Sequence, residues 1–362
     1  MSEAGSLPEG AGAQHTPDTS GPARLRIGVV GVGLLGTRHA RLWAQQPDVE
    51  LVGVADARRE RADDVAAAWG APVAAASVDE LLSRARPDAI SVATPDFLHR
   101  EPVVAALRAG VHVLCEKPLA MTTEDAAAMV EAARRAGRHL MVNHSMRWIP
   151  HYAALKRQAA SGDLGEIVAA HSFKSDALYV ATDMLAWAAR TTPAYFLTAH
   201  DLDLVRWFVD DEVEEVYAQS ASVVLRARGI DTPDVVQASV RFRRGCIAQF
   251  EASWILPNTF PALTDNYMHV LGSKKAVYLN RGPEALETYD EGRVAYPKLG
   301  TVYEHEGRIY GSFRHALEHF TDCVRRGTEP LTSAARVYGV VAALEAIHRS
   351  LETRRPEHVA AP

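Results

Sequence analysis

Cysteine is scarce in this sequence of 362 residues, and the three that occur, Cys115, Cys246 and Cys323, lie far apart. No C-x-x-C pair is present, which argues against a zinc ribbon, and the odd number argues against a disulfide framework. We therefore expect three buried free thiols in a protein of the reducing cytoplasm.

Long apolar runs and a surplus of positive charge are also missing. No stretch approaches the roughly 20 apolar residues that cross a bilayer. The formal net charge of −6 gives no general attraction to nucleic acid or to an anionic membrane. Residues 1–23 lack the cationic start and apolar core of a secretory signal. Their content of Gly, Pro, Ser and Thr predicts a disordered tail.

Metal-binding patterns are not evident either. His315 and His319 are four residues apart, but Glu318 is not at the position that the zinc-protease motif H-E-x-x-H requires. These histidines are expected on a helix surface, and we predict no metal site. Only six of the 39 basic residues are lysines, so each lysine deserves inspection as a group that can exchange a proton.

The first half of the chain repeats an apolar run, a glycine turn and a helix. LRIGVV at Leu25–Val30 predicts a strand covered on both faces. GVGLLG follows and leads into a helix through Trp43, and the next predicted strand, ELVGVAD, ends in Asp56. A G-x-G-x-x-G turn between strand and helix, with an acid twenty residues after its last glycine, is specific for dinucleotide binding.

The residues of this turn have different predicted tasks. Gly31 permits the tight bend, and Gly33 lets backbone amides approach a pyrophosphate. Gly36 allows the helix to pack closely on the strand, and Leu34 and Leu35 open that helix, whose amino terminus points at the phosphates.

Asp56 is predicted to choose the cofactor. Its carboxylate can accept hydrogen bonds from the adenosine ribose hydroxyls, which favours NAD and repels a 2′-phosphate. Arg58 and Arg59 follow it and could pair with such a phosphate, so NADP stays open as an alternative.

Polar residues follow the later predicted strands, DAISVA, VHVLC and HLMVN. Ligands of doubly wound sheets bind outside the carboxyl ends of the strands, so these residues should converge on one crevice. The further cofactor contacts predicted there are Thr94, Pro95, His99, Glu116, Lys117, Asn143 and Arg147.

These motifs resemble those of the Gfo/Idh/MocA oxidoreductases, which include glucose–fructose oxidoreductase and inositol dehydrogenase. The matching stretches run in family order from about residue 25 to 208. They are GVGLLG, Asp56, ATPDFLH, CEKPLA, the N-x-x-x-R-W-x-P stretch at Asn143–Pro150, GDLGEI at Gly162–Ile167, and HDLDLVRW.

The resemblance implies an α/β fold. An amino-terminal Rossmann domain with a doubly wound parallel sheet would precede a carboxyl-terminal α/β domain with an open, mostly antiparallel sheet. We place the NAD-binding domain at 24–146 and the domain for substrate binding and oligomerisation at 147–362. In the family the open sheet often forms a dimer or tetramer contact, so a homodimer or homotetramer is expected. The later segments VVQASVRF and CIAQFEASW alternate as half-buried strands do.

The resemblance also implies the catalytic residues. Lys117 matches the family's active-site lysine, beside a proline whose peptide bond is often cis, and His200 matches its active-site histidine. A base must lie within about 3 Å of the hydroxyl that is oxidised. A partly desolvated lysine near the cofactor's positive charge should have a lowered pKa, and histidine is expected to titrate near neutrality.

The sequence departs from the family just before His200. The usual pattern D-x-G-x-H-x-x-D has Phe196 in place of the first aspartate and Thr198 in place of the glycine. Either Lys117 and His200 share the acid–base role, or a carboxylate from elsewhere enters the pocket. The candidates, which the sequence does not rank, are Asp176, Asp183 and Asp265.

Substrate contacts are hypotheses at this level, and the residues considered are His144, Trp148, Tyr179 and Asp203. Aromatic rings suit the apolar face of a sugar. A different interpretation makes Asp201 or Asp203 the amino-terminal cap of a helix.

We interpret the sequence as that of an NAD(P)-dependent oxidoreductase. It would move a hydride between nicotinamide and a secondary alcohol or ketone of a sugar, aminosugar or cyclitol. One alternative is an NAD-using glycoside hydrolase or lyase that acts through a transient ketone. Another is a nucleotide-binding sensor without chemistry, against which the presence of both Lys117 and His200 argues.

Overall fold

A computed structural model describes residues 23–280, 286–289, 291–292 and 294–360. The predicted tail at 1–23 therefore lies, except for its last residue, outside the described residues. Among the described residues, no helix is both long enough and apolar enough to cross a membrane.

The first half forms a six-stranded parallel sheet, as predicted. Its strands are β1 Leu25–Val30, β2 Val49–Ala55, β3 Ala74–Ala75, β4 Ala89–Val92, β5 His112–Cys115 and β6 Leu140–Val142. Their order is β3-β2-β1-β4-β5-β6. The order reverses between β1 and β4, and a crevice at such a reversal is where doubly wound sheets bind nucleotides.

Helices connect these strands, because apolar residues recur at helical spacing between the strand runs. They are α1 Leu34–Ala44, α2 Arg59–Trp69, α3 Val78–Ala85, α4 Arg100–Arg108 and α5 Thr123–Ala136. Helix α3 begins after Ser77, whose hydroxyl accepts the Glu80 amide at 3.2 Å. This bond is the half of a capping box that satisfies a free amide of the first turn.

The second half forms a seven-stranded mixed sheet flanked by helices. The helices are α6 Pro150–Ala160, α7 Ala199–Val209, α8 Ser312–Arg326 and α9 Ala334–Thr353. The strands of this sheet are β7 Ile167–Ala177, β8 Val213–Ala221, β9 Val235–Phe242, β10 Ile247–Leu256, β11 Thr264–Gly272, β12 Ala276–Leu279 and β17 Glu357–His358. Two short hairpins, β13 Thr288–Tyr289 with β14 Val294–Ala295 and β15 Tyr303–His305 with β16 Arg308–Tyr310, lie outside it.

The order of the second sheet is β12-β11-β7-β10-β9-β8-β17. Only β7 and β10 pair in parallel, so the sheet is mostly antiparallel, as the resemblance implied. Alternate residues of β7, among them Ser172, Lys174 and Asp176, are buried on its inner face. Two of these three are charged, which is unusual for a covered sheet face and marks the part of the sheet next to the site.

Helix α8 returns from the second half to the first sheet. Its Phe320 packs on Trp43 of α1 with ring centroids 6.5 Å apart, and both belong to one apolar cluster with Ile27. After α8, the Thr332 carbonyl accepts the Val142 amide at 2.9 Å. The two halves are thus joined by continuous packing, which fixes the cleft between them.

The close approach of α1 to β1 can be tested at Gly36. A Cβ at this position would lie 1.8 Å from the Gly31 carbonyl oxygen. Gly36→Ala should therefore push α1 away from the sheet and lower the free energy of unfolding by roughly 1–3 kcal/mol, measured by urea denaturation. Gly33→Ala is the matched control, because its Cβ would meet only the Arg61 guanidinium at 3.9 Å. Equal stabilities of the two variants would contradict the packing described.

Candidate active site

The glycine turn and the acid after β2 form one unit. Gly31 has a positive φ of 81°. The Asp56 carboxylate accepts the Val32 amide at 3.0 Å and the Arg58 amide at 2.9 Å. Arg61 lies 3.4 Å from the same carboxylate, whereas Arg59 bonds to Asp63. The acid thus stands beside the glycine turn.

The loops after β4 and β5 are joined by His99. This buried side chain contacts the Thr94 carbonyl through Nε2 at 3.0 Å and the Pro118 carbonyl through Nδ1 at 2.9 Å. It is absent from the cavity wall described below. His99 therefore shapes the edge of the crevice by holding Thr94 and Pro95 near the Lys117–Pro118 peptide, which is cis.

Glu116 is buried and has hydrogen-bond partners at both carboxylate oxygens. Its Oε1 is 2.9 Å from His39 Nε2 and accepts Asn143 Nδ2 at 2.7 Å. Burial alone would favour the neutral acid, but His39 and Asn143 hold the pKa of Glu116 below its usual value. Sequence reasoning missed His39; the available signal was a polar residue on the inner face of α1, one turn after Gly36. Glu116 is thus an anchor that fixes the adjacent lysine.

Lys117 reaches from the first sheet to the second half of the chain. Its Nζ donates to the Phe196 carbonyl at 2.8 Å and stands 4.2 Å from the centre of the Phe196 ring. Burial lowers the pKa of Lys117, although the carboxylates of Glu116, Asp96 and Asp176 oppose the shift. Where the family has an aspartate side chain, this chain offers the ammonium a backbone carbonyl and an aromatic face.

His200 opens α7 directly after a π-helical turn, Ala194–Thr198. No described residue hydrogen-bonds its buried Nδ1. Burial and the positive charges of Lys117 and Lys174 place the pKa of His200 well below the usual value. The expectation that this histidine titrates near neutrality is therefore wrong. It is a neutral imidazole, which can donate one hydrogen bond and accept another.

Lys117 and His200 line the same cavity, whose volume is about 570 Å³. The first half of the chain contributes Leu35, Arg38, Glu116, Lys117, Asn143, Ser145 and Met146 to its wall. The polar residues contributed by the second half include Lys174, Asp176, His200, Thr264, Asn266, Asn280, Tyr296 and Lys298. Hydroxyl, amide and charged groups on facing walls can bind a small polyhydroxylated molecule. The described residues hold no cluster of three or more His, Cys, Asp or Glu suited to a metal ion.

The two acids after His200 form buried ion pairs. Asp203 binds Arg147 through two hydrogen bonds of 2.8 and 2.6 Å, and Asp201 accepts Lys174 Nζ at 2.6 Å. Despite burial, Arg147 and His144 hold the pKa of Asp203 below its usual value. Neither carboxylate accepts a backbone amide from a described residue, so the helix-cap interpretation of these acids is wrong. Both carboxylates pair instead with buried cations. A buried cation without a counter-ion costs more free energy than a helix end without a side-chain cap.

Among the predicted substrate contacts, His144, Trp148 and Tyr179 do not reach the cavity wall, and neither does the predicted cofactor contact Arg147. Arg147 is committed to Asp203, and His144 is buried beside the same carboxylate, 3.7 Å from it. The Trp148 ring packs on His319 at 5.2 Å, and the Tyr179 amide bonds to Asn258. Asp203 also lies behind the wall. These residues support the site through packing and ion pairs.

The structure separates the three candidate replacements for the missing acid. Asp183 is exposed and accepts the neighbouring Thr182 hydroxyl. Asp265 pairs across the sheet with Ser175, whose neighbour Asp176 points the other way. Only Asp176 of these three belongs to the cavity wall.

Comparisons with known proteins agree with this arrangement. The model of the oxidoreductase family with an NAD-binding Rossmann fold matches residues 25–144, and that of the GFO/IDH/MocA C-terminal domain matches residues 152–278. The 1,5-anhydro-D-fructose reductase of Ensifer adhaerens is 37% identical over 234 residues, which are 62% of this chain and 68% of that protein. The myo-inositol 2-dehydrogenase of Thermotoga maritima is 28% identical over 341 residues, 91% of this chain and 97% of that protein.

A solved structure shares the whole fold. Scyllo-inositol dehydrogenase from Lactobacillus casei, with bound NAD(H) and scyllo-inositol, superposes with a TM-score of 0.81 at 19% identity, over 93% of this chain and 100% of that one. The resemblance inferred from the motifs is confirmed. The chain belongs to the Gfo/Idh/MocA family of NAD-binding oxidoreductases.

Proposed function

We propose that this protein is an NAD-dependent dehydrogenase or reductase that acts on a secondary alcohol or ketone of a sugar, aminosugar or cyclitol. One observation carries the proposal: Lys117 and His200, from different halves of the chain, line a single cavity. That cavity adjoins the carboxyl edge of the first sheet, where the glycine turn and Asp56 suit a dinucleotide. The relatives that are named for 1,5-anhydro-D-fructose and myo-inositol support the same substrate class.

We assign the cofactor to the domain at 24–146 and the substrate to that at 147–362. Gly31, Gly33 and Gly36 with the first amides of α1 at Leu34 and Leu35 suit a pyrophosphate. The space over Gly33 is open, because the nearest atom to a Cβ there is 3.9 Å away, and the amides at a helix amino terminus bind phosphate. Bound NAD would accept or donate the hydride.

The chain's own groups handle the proton. Lys117, with its lowered pKa, takes the proton of the reacting hydroxyl in oxidation and returns one in reduction. The Phe196 carbonyl holds Nζ at the cavity wall from one side, and Glu116 fixes the backbone of Lys117 from the other. Neutral His200 lines the same cavity and would hydrogen-bond the same substrate oxygen and keep it oriented.

A homodimer or homotetramer is proposed from the outer face of the second sheet. Phe173 and Tyr267 stack there at 5.9 Å, His269 and Tyr278 stack at 4.3 Å, and the Ile247 side chain is 55% exposed. A broad face of aromatic and aliphatic groups is suited to burial against a second copy. In analytical ultracentrifugation, the Ile247→Glu variant should sediment as a smaller species than the wild type.

We also propose the cytoplasm as the site of action. Cys115, Cys246 and Cys323 are all buried free thiols, a state that a reducing compartment maintains.

Lys117→Ala should abolish turnover and leave cofactor affinity largely intact. The substrates to test are myo-inositol and methyl glucosides with NAD, and 1,5-anhydro-D-fructose with NADH, followed at the nicotinamide absorbance band. NADH binding is measured separately by fluorescence. Lys156→Ala is the matched control, because Lys156 lies away from the cavity, beside Trp207. Unchanged turnover of Lys117→Ala would eliminate the proposed role.

The same measurements distinguish the proposed dehydrogenase from the alternative, an NAD-using hydrolase or lyase. A dehydrogenase accumulates NADH in proportion to product, whereas an enzyme that regenerates its cofactor releases product without net NADH. Turnover of the second kind would replace the proposed activity.

Asp56→Ser should weaken the preference for NAD over NADP. Removing the carboxylate removes both its hydrogen bonds to the ribose hydroxyls and its repulsion of a 2′-phosphate, so the ratio of kcat/KM values should fall at least tenfold, or about 1.4 kcal/mol. Asp64→Asn, on the exposed face of α2, is the control, because Asp63 holds Arg59. An unchanged ratio would show that Asp56 does not face the ribose.

A further inference from the structure

The cavity contains one carboxylate that the proposed function leaves without a task, that of Asp176. Its side chain is buried, and its Oδ1 accepts the Thr264 hydroxyl at 2.5 Å across the pair of strands β7 and β11. No cation of the described residues lies within ion-pairing distance of it. Lys174, two residues earlier on β7, is bound instead to Asp201. A buried carboxylate without a counter-ion is costly to stability and is a mark of functional sites.

The other carboxylates near Lys117 are already occupied. Glu116 is held by His39 and Asn143. Asp96 accepts the Thr191 hydroxyl at 2.6 Å and the Phe97 amide. The bonds to Glu116 favour its ionised form and make it a poor proton acceptor, and Asp96 does not belong to the cavity wall. Asp176 is left as the acid of the cavity wall that can change its protonation state.

We propose that Asp176 takes over the proton-accepting task of the carboxylate that is missing at position 196. This rests on the proposed function. During oxidation the substrate O–H bond breaks and an N–H bond forms on Lys117, while bound NAD would take up the hydride from the carbon bonded to that oxygen. The Lys117 ammonium then gives a proton to the Asp176 carboxylate through the hydrogen-bonded hydroxyls of the substrate. The amine is regenerated, and the neutral acid releases its proton to water after the product leaves.

The groups around Asp176 suit this task. The charges that act on it are Lys174 on its own strand and Lys117 from the end of β5; from β11 and β10 it meets Thr264 and Trp254, which are uncharged. Burial raises the pKa of Asp176 to about 6, although the Thr264 hydroxyl and both lysines oppose the shift. Because burial lowers the pKa of Lys117, the two values approach each other, which eases transfer in both directions.

Asp176→Asn tests the step, because it keeps the shape and the Thr264 hydrogen bond but cannot take the proton. The assay uses whichever of the substrates named above the wild type oxidises. With it, the kcat of Asp176→Asn should be at least 100-fold below that of the wild type. The wild type is expected to lose kcat below about pH 6, and this acid limb should vanish in the variant. The Kd for NADH should stay unchanged. Asp183→Asn, whose exposed carboxylate lies outside the cavity, should match the wild type in all three.

Thr264→Val gives a second readout. Removing a hydrogen bond that favours the ionised carboxyl should move the acid limb of the kcat profile to higher pH.

Folding of the Asp176→Asn variant is checked by thermal unfolding at pH 7.5. The native pKa of Asp176 lies above the unfolded value, so the native state loses stability as pH rises from about 4 through about 6. The neutral asparagine should therefore give a Tm equal to or above that of the wild type.

The outcomes are distinct. An Asp176→Asn enzyme with normal kcat and a persistent acid limb overturns the step, as does a raised KM with kcat unchanged, which would make Asp176 a binding group only. A wild type that oxidises or reduces none of the substrates overturns the proposed function itself.

Discussion

The ammonium group of Lys117 joins the two halves of the chain at the proposed active site. Lys117 belongs to the first sheet, yet its Nζ is bonded to the Phe196 carbonyl of the second half. Such a bond to a charged donor contributes roughly 1.5–3 kcal/mol, and the aromatic face adds about 0.5–2 kcal/mol. Removing an ammonium from water costs several kcal/mol. The contacts therefore hold the side chain in place without fully compensating its charge, and this deficit is why its pKa is lowered.

The replacement of an acid by Phe196 is consistent with this balance. A carboxylate at that position would pair with Lys117 and stabilise its protonated form. A carbonyl carries only a partial charge, so it fixes the position of the amine with a weaker hold on its proton. The positive charge also acts on His200, which burial already keeps neutral. The two groups that face the substrate thus owe their protonation states to the same dry environment.

Much of the first half could be predicted from sequence, because a parallel sheet leaves local marks. The apolar run Leu25–Val30, the glycine turn and Asp56 each occupy the predicted place. The resemblance supplied Lys117 and His200. What local patterns could not supply were partners distant in the chain, such as Arg147 and Asp203, 56 residues apart. Which buried group of β7 has a counter-ion also depends on distant packing, because α7 brings Asp201 to Lys174 and leaves Asp176 without one.

The return of α8 to the first sheet also bears on how the chain acquires its fold. Phe313, Leu317 and Phe320 cover the apolar surface formed by Ile27 and Trp43. A polypeptide released after residue 146 would leave that surface open to water. Ribosomal synthesis must therefore proceed past Arg326 before the apolar surface of the nucleotide-binding half is sealed.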